Sequence, residues 1–235
     1  MKIDLHVHVV GNGTGGTGCW YRPRGLTRLA QPWMLRGFGL SSEALGQDLD
    51  GLYAEKLLSL VQSSSLDAVV LLAQDQPHDA EGRVLEGRGS FYVPNDYVLG
   101  MASAHPEFLP GISIHPARAD AVEELERCLG MGAALLKCLP NCQNIDWNDR
   151  RYTRFLERMA EAGLPLLAHT GGEHTLPVID RSLSDPRVLV RPLEIGVTCI
   201  AAHCATASGV FDTDYFGAFV DMVQKYPNLY GDNSA

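Results

Sequence analysis

The feature that most constrains this chain is a repeated alternation. Seven short apolar runs, at residues 3–9, 68–73, 110–114, 133–139, 164–168, 198–202 and 228–232, are separated by loops and amphipathic helical stretches. Runs this short and this apolar suit strands covered on both faces, and strands alternating with helices imply parallel βα units. Tyr152, Phe155, Leu156, Met159 and Ala160 fall on one helical face, with Asp149 placed to cap its start and Gly163 to close its end. Phe216, Phe219, Val220 and Val223 repeat the spacing before Pro227, and Val122, Leu125 and Leu129 repeat it in an acidic helix ending near Gly130. Further helices are expected over residues 49–61 and from Asn95 onward. The fold class expected is α/β, a TIM-type (β/α)8 barrel in which only seven strands can be counted.

Nothing in the sequence marks a linker, so residues 1–235 read as a single barrel domain. Its loosest stretch is a loop insertion at about 11–46, rich in Gly and Arg and carrying Trp20, Tyr21 and Trp33. A long loop after the first strand could lie over an active site as a lid.

Composition removes several function classes. The chain has 235 residues, 46% of them hydrophobic, which is enough for one sizeable core. Its net charge of −9 argues against a nucleic-acid or anionic-membrane surface. No apolar run reaches the roughly 18 residues of a membrane span. Asp4, His6 and His8 interrupt the N-terminal run, which therefore does not read as a signal peptide. Cys19, Cys128, Cys138, Cys142, Cys199 and Cys204 form no CxxC pair and read as reduced, largely buried thiols of a cytoplasmic protein. The partner expected is a small-molecule substrate, with a homo-oligomer left open.

The chemistry gathers at the ends of the runs. In "IDLHVHVV", His6 and His8 are two positions apart and so share one strand face. Two imidazoles side by side in apolar surroundings are costly unless something binds them, and a metal does so. "PLLAHTGG" ends a run with His169, "CIAAHCAT" with His203, and "ALLKCLP" carries Lys137 near the end of another. In a parallel βα barrel all strand C-termini open on one face, so remote residues converge there.

DxHxH on the first strand, Lys137 on the fourth, His169 on the fifth and His203 on the sixth resemble the amidohydrolase superfamily. The segment from "GAALLKCLP" to "PLLAHTGG" is similar to the amidohydrolase-2 branch, which contains aminocarboxymuconate semialdehyde decarboxylase and pyrone dicarboxylate lactonase. The resemblance implies that His6, His8 and His169 are metal ligands. It makes His203 either a ligand of a second metal or the catalytic acid/base of one-metal members. It makes Lys137 the lysine that is carboxylated to bridge two ions. The family completes its site with an aspartate on an eighth strand. "NLYGDNSA" instead matches the seventh strand, so Asp232 corresponds to the strand-seven aspartate. Asp232 is then a fallback ligand, a base or a structural cap, and Lys137 a carbamate bridge or a substrate contact.

Other residues carry weaker signals. Asp4 reads as a carboxylate orienting a ligand. His174 and His115 are candidates to contact substrate, and Arg22 and Arg24 could clamp a carboxylate from the first loop. His105 reads as structural, and Cys138 and Cys142 as packing residues. The cofactor implied is a divalent metal, one or two ions, with zinc suited best by imidazoles and manganese or iron as alternatives. The function expected is metal-dependent hydrolysis of a small ester, lactone or amide. The alternatives are non-oxidative decarboxylation at the same ion and an incomplete chain that only binds metal or ligand.

Overall fold

A computed structural model describes residues 1–22, 36–40, 43, 46–210 and 212–234. Residues 23–35, 41–42 and 44–45 of the expected loop insertion, Arg24 and Trp33 among them, lie outside the described residues. The chain divides into two compact units, Met1–Gln74 with Ser90–Ile112, and Asp75–Gly89 with Ser113–Ala235.

In the first unit, strands β1 (Ile3–His8), β3 (Ala68–Leu72) and β5 (Phe108–Ile112) run parallel in the order β1-β3-β5. β3 reads Ala-Val-Val-Leu-Leu and every residue is buried, as a two-sided strand requires. β1 differs from the buried strand expected. Ile3, Asp4 and His8 are exposed, because β1 pairs only with β3 among the described strands. Its register slips between Asp4 and Val7, and the Asp4 carboxylate accepts the His6 backbone N–H at 3.0 Å. A bulge of this kind re-aims the side chains that follow it.

The helix Leu49–Gln62 starts at Asp48, whose side chain accepts from the Gly51 N–H. The next residue but one, Asp50, is fully buried and takes the N–H groups of Asn12 at 2.7 Å and Gly13 at 3.2 Å, together with the Thr17 hydroxyl. The start of the first loop is thus fastened to the helix. Trp20–Tyr21 (β2) then pairs antiparallel with Phe91–Tyr92 (β4), a two-residue ribbon too short to leave a sequence pattern. Val9, Tyr53, Val69, Leu71, Val98 and Phe108 pack as this unit's core.

In the second unit, β6 (Leu135–Cys138), β7 (Leu166–His169), β8 (Cys199–Ala202) and β9 (Leu229–Gly231) run parallel in that order. The helix Thr153–Ala162 follows its expected face, whereas in Phe216–Lys225 the expected Phe216 and Val223 are exposed and Phe219 and Met222 are the buried residues. Asp149 caps a 3-10 turn, Arg150–Tyr152, that leads into the helix Thr153–Ala162, and Gly163 ends it at φ 64°. Phe155, Leu156 and Met159 are its buried face. Trp147 is fully buried against Phe155 and donates to Cys138 Sγ at 3.2 Å. The helices Ala121–Gly130 and Phe216–Lys225 form where the spacing placed them. Among the described residues the seven strands β1, β3, β5, β6, β7, β8 and β9 follow one another in chain order, the βα arrangement of the (β/α)8 class. All six cysteines are free thiols, five of them buried. Among the described residues no helix is long and apolar enough to cross a membrane.

Candidate functional site

The strand ends carry the residues that the sequence singled out. In the first unit the His6 and His8 rings lie 5.1 Å apart, tilted by 54°. They line a cavity of about 300 Å³ with Phe38, Tyr53, Lys56 and Leu60. The Tyr53 hydroxyl donates to the His8 carbonyl oxygen at 2.8 Å, which fixes the helix against the end of β1. Arg22 is exposed, with its guanidinium 4.7 Å from the centre of the Trp20 ring.

In the second unit His169 is the last residue of β7 and His203 follows directly on β8. Their rings meet edge to face, 5.0 Å apart. His203 is held by its backbone and by its ring. Its backbone N–H donates to Asp232 Oδ1 at 2.8 Å, and its Nδ1 lies 2.8 Å from the Ser234 carbonyl oxygen. That contact places the proton on Nδ1 and the lone pair on Nε2. Asp232 Oδ1 also accepts from the Ser234 hydroxyl at 2.6 Å. Asp232 therefore acts here as a cap on the His203 turn. The turn needs one, because His203, Cys204 and Ala205 stand in the left-handed region at φ 60°, 49° and 57°. For residues with a Cβ that conformation costs about 1–2 kcal/mol each, and such outliers concentrate at functional sites.

Lys137 lies in β6 and is 1% exposed. Burial pulls its ammonium down to about 8, against the opposing charges of Cys138, Asp232 and Glu173. A lysine in this range has an amine accessible near neutral pH.

The loop after β7 brings in a residue that sequence reasoning missed. Glu173 Oε2 is 3.7 Å from His169 Nε2, its side chain 9% exposed, while the Gly172 carbonyl oxygen is 3.2 Å from the same nitrogen. Its signal was only its place four residues beyond a strand-end histidine. The two glycines before it are required by close packing. A Cβ on Gly171 would stand 2.2 Å from the Thr206 carbonyl oxygen, and one on Gly172 would stand 2.2 Å from both Asp212 Oδ2 and Ser208 Oγ. His174 is exposed and bonds Asp212 through Nε2 at 2.7 Å. That bond is the main cause holding the Asp212 carboxyl below its ordinary range. A polar cavity of about 230 Å³ opens beside this loop, lined by Glu173, Asp212, Asn141, Arg181, Ser184 and Tyr215 among others.

His115 takes a different place. It is fully buried, its Nδ1 accepts from the Ala117 N–H at 3.2 Å and its Nε2 lies 2.9 Å from the Gln143 carbonyl oxygen. Burial, helped by His78 with its ring 4.7 Å away, drops its pKa to about 3 and keeps it neutral. His105 caps the helix Asn95–Ala104 and packs edge-on against Phe108.

The imidazoles thus come as two pairs, His6–His8 and His169–His203, and neutral imidazole is a donor that suits a divalent ion. Among the described residues no group of three or more His, Cys, Asp or Glu side chains is arranged to hold one.

Residues 3–235 match the family model described as Amidohydrolase, and the chain belongs to that enzyme family. Comparison with curated proteins finds no match. Among solved structures, an uncharacterized TIM-barrel protein from Bordetella bronchiseptica is 19% identical with a TM-score of 0.66, over 99% of this chain and 75% of that one. A probable 2-pyrone-4,6-dicarboxylic acid hydrolase from Acinetobacter baumannii, with citric acid bound, is 14% identical with a TM-score of 0.57, over 100% and 70%. A 5-carboxyvanillate decarboxylase from Novosphingobium aromaticivorans, with bound manganese, is 14% identical with a TM-score of 0.51, over 87% and 66%. At these identities the likeness is one of fold.

Proposed function

We propose that this chain is a metal-dependent hydrolase of a small ester, lactone or amide. Its metal ligands in this reading are His6, His8 and His169, with His203 as a further ligand or as the acid/base. Zinc suits imidazole donors best, with manganese and iron as alternatives. A divalent ion held by imidazoles brings bound water to a pKa of ~7 and polarises a carbonyl oxygen.

The observation that carries the reading is the His169–His203 pair, with His203 fixed in a left-handed turn by Asp232. His203 donates through Nδ1 to Ser234, so its Nε2 is the atom that accepts a proton from the attacking water and returns it to the leaving group. Asp232 holds the orientation of that ring through the backbone. Lys137, with its pKa drawn towards neutrality, is the group in β6 that could take up carbon dioxide as a carbamate or contact substrate. Glu173 stands beside His169 Nε2 and orients that ring.

A panel of esters, lactones, amides and aromatic or muconate-like acids, assayed with zinc or manganese for acid release and for carbon dioxide release, tests this. The expected result is acid release from at least one member, reduced 100-fold or more in His203→Ala. Carbon dioxide release without hydrolysis would move the assignment to decarboxylation, and neither product would overturn both readings.

A further inference from the structure

The cavity beside the loop that follows His169 is lined by two side chains with unused hydrogen-bonding capacity, Asn141 and Arg181. Asn141 is 1% exposed. Its Nδ2 donates to Ser184 Oγ at 3.0 Å, but its Oδ1 has no hydrogen-bond partner. A buried carbonyl oxygen is almost always bonded, so an orphan of this kind calls for an explanation. Exchanging the two ends of the amide leaves the same count, because Ser184 can serve either end and one atom stays without a partner. Arg181, on the rim, is exposed and forms no ion pair or hydrogen bond with the described residues.

The two groups share one framework. The Asn141 carbonyl oxygen accepts the N–H of Ile179 at 2.8 Å and of Asp180 at 3.1 Å, which fastens the turn carrying Arg181 to Asn141. Several other polar groups of the cavity are committed, while the hydroxyls of Thr213 and Tyr215 also line it. Glu173 Oε1 accepts from the N–H groups of Thr175 and Leu176, Asp212 Oδ2 from His174 and Ser208, and the Ser182 hydroxyl donates to Asp180. The cavity thus offers a ligand one guanidinium and one amide end, beside the hydroxyls of Thr213 and Tyr215.

We infer that this cavity is a binding subsite in which Arg181 and Asn141 select a small carboxylate carrying a hydroxyl or amine next to its acid group. Arg181 takes the carboxylate, for which its planar fork of donors is matched. Asn141 Oδ1 takes the hydrogen of the adjacent hydroxyl or amine. A carboxylate without that donor meets only Arg181. The link to turnover rests on the proposed hydrolase reading, whereas the binding preference stands by itself.

L-Malate and succinate differ by one hydroxyl and are the probes. Calorimetric titration of the metal-loaded full chain is expected to show malate bound at least 10-fold more tightly than succinate. Arg181→Gln, a change at an exposed position, is expected to weaken both by 10-fold or more. Asn141→Ala is expected to remove the preference and to leave succinate within twofold of its original affinity. Equal binding of the two acids, no binding of either, or a preference that survives both substitutions would overturn the inference. The last outcome would mean that the hydroxy acid is held by the metal ion or elsewhere. Malate discrimination with no turnover of any panel substrate would instead sink the hydrolase reading and leave this subsite standing.

Discussion

Lys137 offers a test of the second unit that depends on no substrate. Its side chain is fully buried and its ammonium is pulled from 10.5 to about 8, with burial as the main cause. The difference corresponds to about 3 kcal/mol of stability that depends on pH. Below about pH 8 the lysine is charged in both folded and unfolded chains, and the folded state carries the whole penalty of burying it. Between about 8 and 10.5 the folded protein has released the proton while the unfolded chain still holds it. The unfolded state then binds more protons, so stability rises with pH across that window. Lys137→Met keeps the length of the side chain and has no proton to lose. Urea unfolding of both proteins at pH 7, 8.5 and 10, in bicarbonate-free buffer, reads the difference. The wild type is expected to gain about 2–3 kcal/mol on the variant between pH 7 and pH 10. A difference that stays flat across the range would refute the burial argument.

His115 gives the complementary prediction at low pH. Its pKa falls from 6.5 to about 3 on folding, so the neutral ring contributes stability that is present above pH 6.5 and is lost as pH falls towards 3. His115→Asn is expected to flatten the acid limb of a urea or thermal titration over that interval. Gly172→Ala would drive a methyl group into Asp212 and Ser208, and overpacking of this kind typically destabilises by about 1–3 kcal/mol, measurable as a lower urea midpoint. Leu156→Ala removes a fully buried side chain from the helix Thr153–Ala162 and is expected to cost about 2–5 kcal/mol in the same assay.

The strands were legible because parallel strands covered on both faces read as plain apolar runs. β3 and β7 lie within two residues of their expected bounds. β5 begins at Phe108, two residues earlier than expected, since its interior Pro110 and Gly111 read as a strand start. The helix ends at Gly130 and Gly163 followed from ordinary stop signals. The bulge in β1 was not legible, because it arises from the pairing with β3 and from a hydrogen bond of Asp4 to the chain. The left-handed run at His203–Ala205 leaves no mark in the residues that adopt it, since none is a glycine. Glu173, Asn141 and Arg181 were missed for a related reason. Acids, amides and arginines are common in loops, and what distinguishes these three is a neighbour 3.7 Å away, a buried atom without a partner, and a guanidinium without a counter-charge.

The central claim is that the strand-end histidines hold a divalent ion, and metal content measures it most directly. Elemental analysis of the purified full chain at neutral pH, after dialysis against a metal-free buffer, is expected to find at least one equivalent of zinc, manganese or iron. His6→Ala, His8→Ala and His169→Ala are each expected to lower it by half or more. A folded wild type with no stoichiometric divalent ion, even after incubation with zinc or manganese, or variants that retain the full complement, would contradict the account.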